Sequence, residues 1–342
     1  MRAPELSGPP TSAAAFTEST SPASPMGRGT GRLRPRTGPK RTAIAPRLIL
    51  CPSPSLSEAK RPRPPPGDVI TDSEWSGEAV QTAAGRIYFE MPADKSDKRW
   101  NGYVCSGTAV TDDVVNDGQS IILTAAHCVF EDLNKVFARN VMFIPNQART
   151  TVSGTDLNCD NDPLGCWMPT HGVVDVNWTV ATFPGNIPHD YAYYVVPNTD
   201  AHAGNGAGPD LSLEDAVRTL SVEFLTSPAL DGEDSITHAL RYSYDQDPSF
   251  RYCAEGLDIE ADYDDYWLPS CLLSGGSSGG PWIQPMDVVT GSGPIISVNS
   301  WGYTNSPGMA GPPLTGNSAK CVFDIARSTS SLTDPRGIVV TC

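Results

Sequence analysis

Three short segments of this chain carry residue types and spacings that could do chemistry. Leu123–Cys128 reads Leu-Thr-Ala-Ala-His-Cys, an apolar run that delivers a histidine and then a cysteine. His189-Asp190-Tyr191-Ala192 sets an aspartate at the mouth of the apolar run Tyr191–Val196. Ser274–Trp282 reads Ser-Gly-Gly-Ser-Ser-Gly-Gly-Pro-Trp and follows Cys271. A serine hydroxyl is a weak nucleophile. It needs a base to take its proton, and donors for the oxyanion that forms when it attacks a carbonyl. The glycines around Ser278 permit a tight turn with successive N–H groups facing one point. Singly, each segment has a blander reading: a packed histidine, a turn aspartate, a flexible Gly-Ser loop. Together they are a much stronger signal than any one alone: a candidate hydroxyl nucleophile in a loop of N–H donors, with a histidine that could serve as its base.

The elements that must hold these segments read as short strands divided by turns. Val174, Val176, Trp178 and Val180 alternate with Asp175, Asn177 and Thr179, the period of a strand with one buried face. Leu240, Tyr242 and Tyr244 alternate with Arg241, Ser243 and Asp245 in the same way. Further strands are expected at Arg86–Met91, Tyr103–Val110, Ile121–Ala125, Val141–Ile144, Tyr191–Val196, Leu220–Leu225 and Ile295–Val298. Leu213, Ala216, Val217 and Leu220 fit one or two helical turns, and Gly and Pro punctuation limits helices elsewhere. Many short strands with Gly/Pro turns predict an all-β sandwich or barrel.

Charge divides the chain in two. Residues 1–67 hold 11 Lys+Arg and 3 Asp+Glu, whereas the remainder holds 13 and 36. The first part also carries 14 of the 32 prolines, and Pro-Arg-Pro-Pro-Pro ending at Pro66 suits neither helix nor central strand. Residues 1–71 are therefore expected to be a disordered basic leader, and 72–342 the folded body. Ile44–Cys51 is the nearest thing to a secretory signal, but Pro46 and Arg47 interrupt it. The overall net charge of -15 argues against nucleic-acid binding. No apolar run approaches the ~20 residues that cross a bilayer. Nine cysteines place Cys51 in the leader and eight in the body, an even count that fits a disulfide framework and an oxidising compartment. Cys159 and Cys166 flank a turn-rich loop that a bridge could close. Asp156, Asn158, Asp160 and Asp162 alternate like the start of a calcium loop, but the glycine and terminal Glu of that motif are missing. Glu255, Asp258, Glu260, Asp262, Asp264 and Asp265 form a second acidic cluster. Both read as solvated loops, and no metal is assigned.

From about Gly85 to Cys342 the sequence resembles the trypsin/chymotrypsin-like serine peptidases. The family's histidine motif is matched by Thr124-Ala-Ala-His127-Cys128 and its acid by Asp190. The nucleophile motif is matched by Gly276-Ser-Ser278-Gly-Gly-Pro281, and the substrate-binding strand by Ser300-Trp301-Gly302. The order His, Asp, Ser is also the family's. The resemblance implies two six-stranded antiparallel β-barrels, about 75–205 and 206–342, with the active site between them. It implies an oxyanion hole from the N–H groups of Gly276 and Ser278. It also implies a Cys105–Cys128 bridge, matched through Cys105-Ser-Gly-Thr108. Cys253–Cys271 would tie the loop before the nucleophile, and Cys321–Cys342 would anchor the C-terminus. The implied activity is a secreted, extracellular or periplasmic, monomeric endopeptidase acting on proteins or peptides without a cofactor. The alternative is an inactive homologue serving as an extracellular binding or regulatory protein. Such proteins usually lose Ser, His or Asp, and this chain keeps candidates for all three.

Departures from the family narrow this. Its vertebrate members carry Asp before the nucleophile, to pair with a new N-terminus, but here Ser277 stands there and no Ile-Val-Gly-Gly-like start precedes Gly85. The Gly-Gly-Ser-Ser-Gly-Gly-Pro-Trp form looks more like microbial secreted relatives, including the glutamyl-endopeptidase-like branch. That branch carries His before Trp-Gly, where this chain has Ser300. Six residues before the nucleophile, at the expected base of the specificity pocket, stands Leu272. Apolar or small side chains are the expected preference, and the acidic cluster of residues 255–265 is the argument for basic ones.

Overall fold

The structure is a computed structural model. It describes residues 69–93, 99–113, 118–153, 157–204, 211–272, 274–303, 306–329 and 334–342. The leader through Gly67, Cys51 and Asp156 lie outside the described residues.

Two curled sheet systems carry the site. In the first, six strands follow in the order Arg139–Pro145, Ala84–Pro92, Trp100–Val110, Gln119–Thr124, Ala192–Pro197 and His171–Asp175. All neighbours are antiparallel. Short strands Cys166–Trp167 and His202–Ala203 extend one edge, and Gly337–Val340 joins the other in parallel with His171–Asp175, making nine strands rather than six. The second system holds Phe250–Gly256, Ile236–Tyr242, Pro281–Ile283 and Ile295–Val298, with Ile70–Glu74 added at its edge. A three-stranded ribbon, Asp258–Glu260, Asp265–Leu268 and Met309–Gly311, completes it, and a bridge from Ala310 to Trp301 ties this ribbon to the chain after Ile295–Val298. The termini thus cross: the first strand belongs to the second system and the last strand to the first. The expected boundary at 71/72 falls inside Ile70–Glu74.

The aliphatic residues of the first system, among them Ile87, Ile122, Leu123, Val173 and Val195, form one buried cluster. A smaller core around Trp282, Ile296 and Leu268 encloses Cys253 and Cys271. Burying each such large side chain contributes roughly 1.5–3 kcal/mol. The eight body cysteines pair as Cys105–Cys128, Cys159–Cys166, Cys253–Cys271 and Cys321–Cys342.

Three local expectations need correction. The alternation across Val174–Val180 does not continue as strand: it stops at Asp175, and Val176–Val180 is a helical turn. The Asp175 carboxylate accepts the Asn177 N–H at 2.7 Å, so a side-chain cap captures the chain before the next strand residue. Leu220–Leu225 makes only isolated bridges through Leu220 and Val222. The Glu223 carboxylate takes the N–H groups of Leu225 and Thr226 at 2.7 and 2.9 Å, turning the backbone outward. A helix at Ala319–Ala326, which the Gly/Pro punctuation argued against, buries Ala319, Val322, Phe323 and Ala326. Those positions are spaced i, i+3, i+4, i+7, the face of an amphipathic helix.

Candidate active site

His127 sits in the single 3-10 turn Ala126–Cys128 that ends strand Gln119–Thr124. Cys128, bonded to Cys105, anchors that turn, and the Tyr194 hydroxyl donates to the Cys128 carbonyl at 2.9 Å. Asp190 follows the turn Ile187–His189. Its carboxylate grips the histidine twice: Oδ1 accepts the His127 backbone N–H at 2.9 Å and Oδ2 meets Nδ1 at 2.7 Å. Two contacts from one carboxylate fix both the position and the ring orientation. The Asp190 side chain is 4% exposed and that of His127 34%, so the acid is sealed while the ring keeps a face toward solvent. The Ser300 hydroxyl donates to Asp190 Oδ2 as well.

Electrostatics follow from this packing. Burial alone would push the Asp190 carboxyl up, but the His127 charge and hydrogen bond, the Ser300 hydroxyl and the His127 N–H hold it below its ordinary value. Burial alone would pull the His127 imidazole down, but the Asp190 charge and hydrogen bond, with Asp132 behind them, raise it above 6.5. Cys105 and Cys128 sulfur atoms lie close to the imidazole. Both are spent in their disulfide, so neither is a thiolate ligand for a metal.

The loop carrying Ser278 is held by its backbone. The Ser278 carbonyl accepts the Ser106 N–H at 2.7 Å, and the Gly279 N–H donates to the Asn299 carbonyl at 2.8 Å. Gly279 has φ +79, and a Cβ there would stand 2.1 Å from Thr124 Oγ1 and 2.4 Å from the Ser106 carbonyl. Only glycine lets the loop approach that strand so closely. Gly276 has φ +90, and its carbonyl is drawn back by the Ser106 hydroxyl at 3.0 Å. The N–H groups of Ser277, Gly279 and Gly280 are spent on Ser274, Asn299 and Ser277 carbonyls. Those of Gly276 and Ser278 donate to nothing among the described residues. These two unspent donors belong to the loop that carries the Ser278 hydroxyl, which likewise has no hydrogen-bond partner, His127 included, among the described residues.

Asn299 carried no sequence signal, whereas Ser300, Trp301, Gly302 and Leu272 did. Asn299 is fully buried. Its amide donates to the Leu240 and Ser277 carbonyls at 2.9 and 3.1 Å, and its Oδ1 accepts the Trp282 indole N–H at 2.7 Å. That one side chain thereby pins the peptide just before Ser278. Ser300 was expected on the substrate strand, and its side chain hydrogen-bonds Asp190. Trp301 packs edge-on against Tyr263 and Tyr303, with ring centroids 5.4 and 5.1 Å apart, and joins Ile187 and Ala310 in an apolar cluster. Gly302 lies against the Gly308 carbonyl, 2.6 Å from where its Cβ would be. Leu272 is 51% exposed and donates its N–H to the Thr71 carbonyl, so it does not lie buried as the floor of a closed pocket.

The acidic cluster of residues 255–265 is not uniformly solvated, contrary to the sequence reading. Glu255 is buried and accepts the Ser270 N–H at 2.7 Å. Asp265 is fully buried and accepts the Trp301 indole N–H at 2.8 Å. Burial, set against that hydrogen bond, raises the Asp265 carboxyl to about 7, with the Asp190 charge adding to the rise. The flanking Tyr266 and Trp267 were the signal that this stretch turns inward. In the other acidic loop, Asp162 is buried too.

No family model matches this sequence, and neither does any curated protein sequence. Solved structures do match. The protease Anisep from Arthrobacter nicotinovorans is 26% identical, with a TM-score of 0.55 over 74% of this chain and 99% of its own. The thermostable serine protease AL20, from an extremophilic microorganism, is 23% identical with a TM-score of 0.55 over 73% and 99%. A Glu endopeptidase is 15% identical with a TM-score of 0.52 over 76% and 98%. The chain has the all-β, double-barrel fold of chymotrypsin-like serine proteases, and these neighbours support a peptidase function in general.

Proposed function

We propose that this chain is a serine endopeptidase of the trypsin/chymotrypsin-like kind, with Ser278 as nucleophile, His127 as base and Asp190 as orienting acid. The observation that carries the reading is the two-point grip of Asp190 on His127, with the Gly-bounded loop of Ser278 and its two unspent N–H donors packed through the Ser278 carbonyl on the neighbouring Cys128. The Ser278 hydroxyl attacks the scissile carbonyl while its proton passes to His127 Nε2, and the carbonyl oxygen gathers negative charge beneath the Gly276 and Ser278 N–H groups. When the tetrahedral adduct collapses, the C–N bond breaks and His127 returns the proton to the leaving amine. Water then repeats the sequence on the acyl-enzyme and frees Ser278. Asp190 keeps the proton on Nδ1, so that Nε2 is free to accept, and balances the imidazolium as it forms. The serine–histidine contact closes as substrate arrives, since such bonds are commonly long beforehand. Retention of this geometry gives the inactive-homologue alternative no support.

Four disulfides support an oxidising, extracellular or periplasmic setting, and the Gly-Gly-Ser-Ser-Gly-Gly-Pro-Trp loop supports the microbial secreted branch. The substrate strand is Ser300–Gly302, with the Trp301 aromatic cluster receiving apolar substrate side chains. Three carboxylates of the acidic cluster are already hydrogen-bonded: Glu255 to Ser270, Asp265 to Trp301, and Glu260 to the Tyr303 hydroxyl at 2.8 Å. Burying an unpaired Lys or Arg would cost several kcal/mol. A peptide library digested by the full chain should therefore be cut after apolar or small residues. Treatment with a fluorophosphonate should stop that cleavage. Cleavage mainly after Arg and Lys, lost on neutralising one of those acids, would overturn the preference, and no cleavage by the folded chain would overturn the reading.

Residues 1–68 form a removable leader in this proposal, and the body begins at the edge strand Ile70–Glu74. A chain starting at Val69 is expected to fold and to hydrolyse peptides at the full-length rate. Failure of that shortened chain to fold, where the full chain folds, would place the leader within the domain.

A further inference from the structure

Beneath the nucleophile loop lies a charge network that the peptidase mechanism does not use. Asp72 stands on strand Ile70–Glu74, which pairs with Phe250–Gly256 at the edge of the second sheet system. Its Oδ1 accepts from Arg241 Nη2 at 3.0 Å and from Arg251 Nε at 2.8 Å, and its Oδ2 accepts from Gln246 Nε2 at 3.0 Å. Arg241 is 1% exposed, on the face of Ile236–Tyr242 that the sequence alternation marked as polar. Its other terminal nitrogen donates to Ser274 Oγ at 3.1 Å, and that hydroxyl donates onward to Asp245 Oδ1 at 2.8 Å. Ser274 opens the nucleophile loop, and its carbonyl receives both the N–H and the hydroxyl of Ser277.

The same strand touches the loop at further points. The Thr71 carbonyl accepts the Leu272 N–H at 2.9 Å. Gln246, held by Asp72, belongs to the turn containing Tyr244, whose N–H donates to the Gly275 carbonyl at 3.3 Å. Leu272, Ser274 and Gly275, the residues leading to Gly276, are thus all restrained by contacts that begin on Ile70–Glu74. A buried guanidinium keeps its place only while a carboxylate neutralises it. Without Asp72 the carboxylate left acting on Arg241 is Asp245, linked to it through the Ser274 hydroxyl, so a guanidinium drawn toward Asp245 pulls on the Ser274 turn.

We infer that Ile70–Glu74 is a positioning element for the nucleophile loop, acting through the Asp72–Arg241–Ser274 chain to aim the Gly276 N–H at the reacting oxygen. Asp72 is a positioning residue and touches no substrate. The consequence is a regulatory limit on N-terminal processing: trimming before Val69 leaves the enzyme active, and trimming past Asp72 disables it while both sheet systems persist. This rests on the proposed peptidase reading.

The test compares full-length wild type, Asp72→Asn, Asp72→Glu and Ser274→Ala. Glu90→Gln, which breaks the surface pair with Arg139, serves as a control. Near-ultraviolet circular dichroism checks folding, and peptide kinetics and the rate of fluorophosphonate labelling report the site. Asp72→Asn should lose about 10- to 100-fold in kcat and in labelling rate, with KM little changed, because misplacing a donor by about 1 Å costs on that order. Asp72→Glu should recover part of this loss, Ser274→Ala should lose less than Asp72→Asn, and Glu90→Gln should match wild type. Folded Asp72→Asn and Ser274→Ala proteins that label and hydrolyse at the wild-type rate would overturn the inference. Should Asp72→Asn fail to fold, Ser274→Ala decides, since it leaves the Asp72–Arg241 pair intact. Wild type that is folded but does not label overturns the peptidase reading and this inference with it, an outcome distinct from wild type and variants labelling alike.

Discussion

Ser278→Ala is expected to lower kcat by about 10⁶, the scale seen when the serine of an unrelated serine hydrolase is removed. The protein should otherwise be unchanged. The Ser278 side chain makes no hydrogen bond among the described residues, whereas its carbonyl is held by Ser106 and the next N–H by Asn299. Alanine keeps both backbone contacts and suits the same turn, so thermal stability should not fall. Ser277→Ala is the informative companion. The Ser277 hydroxyl is engaged with the Ser274 carbonyl at 2.6 Å and points away from nucleophilic duty, so its loss should cost stability and modest activity. A Ser278→Ala protein that still turns over at the wild-type rate would exclude this serine.

Asp190→Asn should lower kcat by about 10⁴, because an amide in place of the carboxylate favours the wrong imidazole tautomer. Asn can also no longer accept from the His127 N–H, His127 Nδ1 and Ser300 together. The pH profile carries the same information. The base must be neutral to work, and Asp190 raises the His127 pKa. The acid limb of kcat/KM should therefore lie above the ordinary imidazole value of about 6.5. Removing the negative charge in Asp190→Asn should move that limb to lower pH while the rate falls. A limb at or below the ordinary value in wild type, or one that does not move in the variant, would contradict the pairing.

The residues that meet at the site were legible because their chemistry is local. Ser278 among glycines, His127 before a cysteine and Asp190 before an apolar run each mark themselves, and their order along the chain fits one mechanism. The residues that hold them in place were not legible, because each acts across the fold. Asn299 is an ordinary polar residue until Trp282, Leu240 and Ser277 converge on it. Asp72 sits six residues beyond Pro66, the leader's proline-rich end, and is joined to Arg241 across 169 positions of sequence. Alternation foresaw a strand over Leu240–Asp245, of which only the part to Tyr242 lies in the strand Ile236–Tyr242, and it assigned Arg241 to solvent, since periodicity alone cannot show that both faces of a strand are covered. It overran at Asp175, where a side-chain cap competes with the strand, and composition alone left the acidic stretch of residues 255–265 outside the protein.

The most direct measurement is the site of covalent labelling. The folded full-length chain is treated with a fluorophosphonate, digested and mapped by mass spectrometry. A single adduct on Ser278, formed faster as pH rises through the His127 limb, is the result this account predicts. An adduct on Ser277 or another residue, or no adduct on a folded chain, would contradict it.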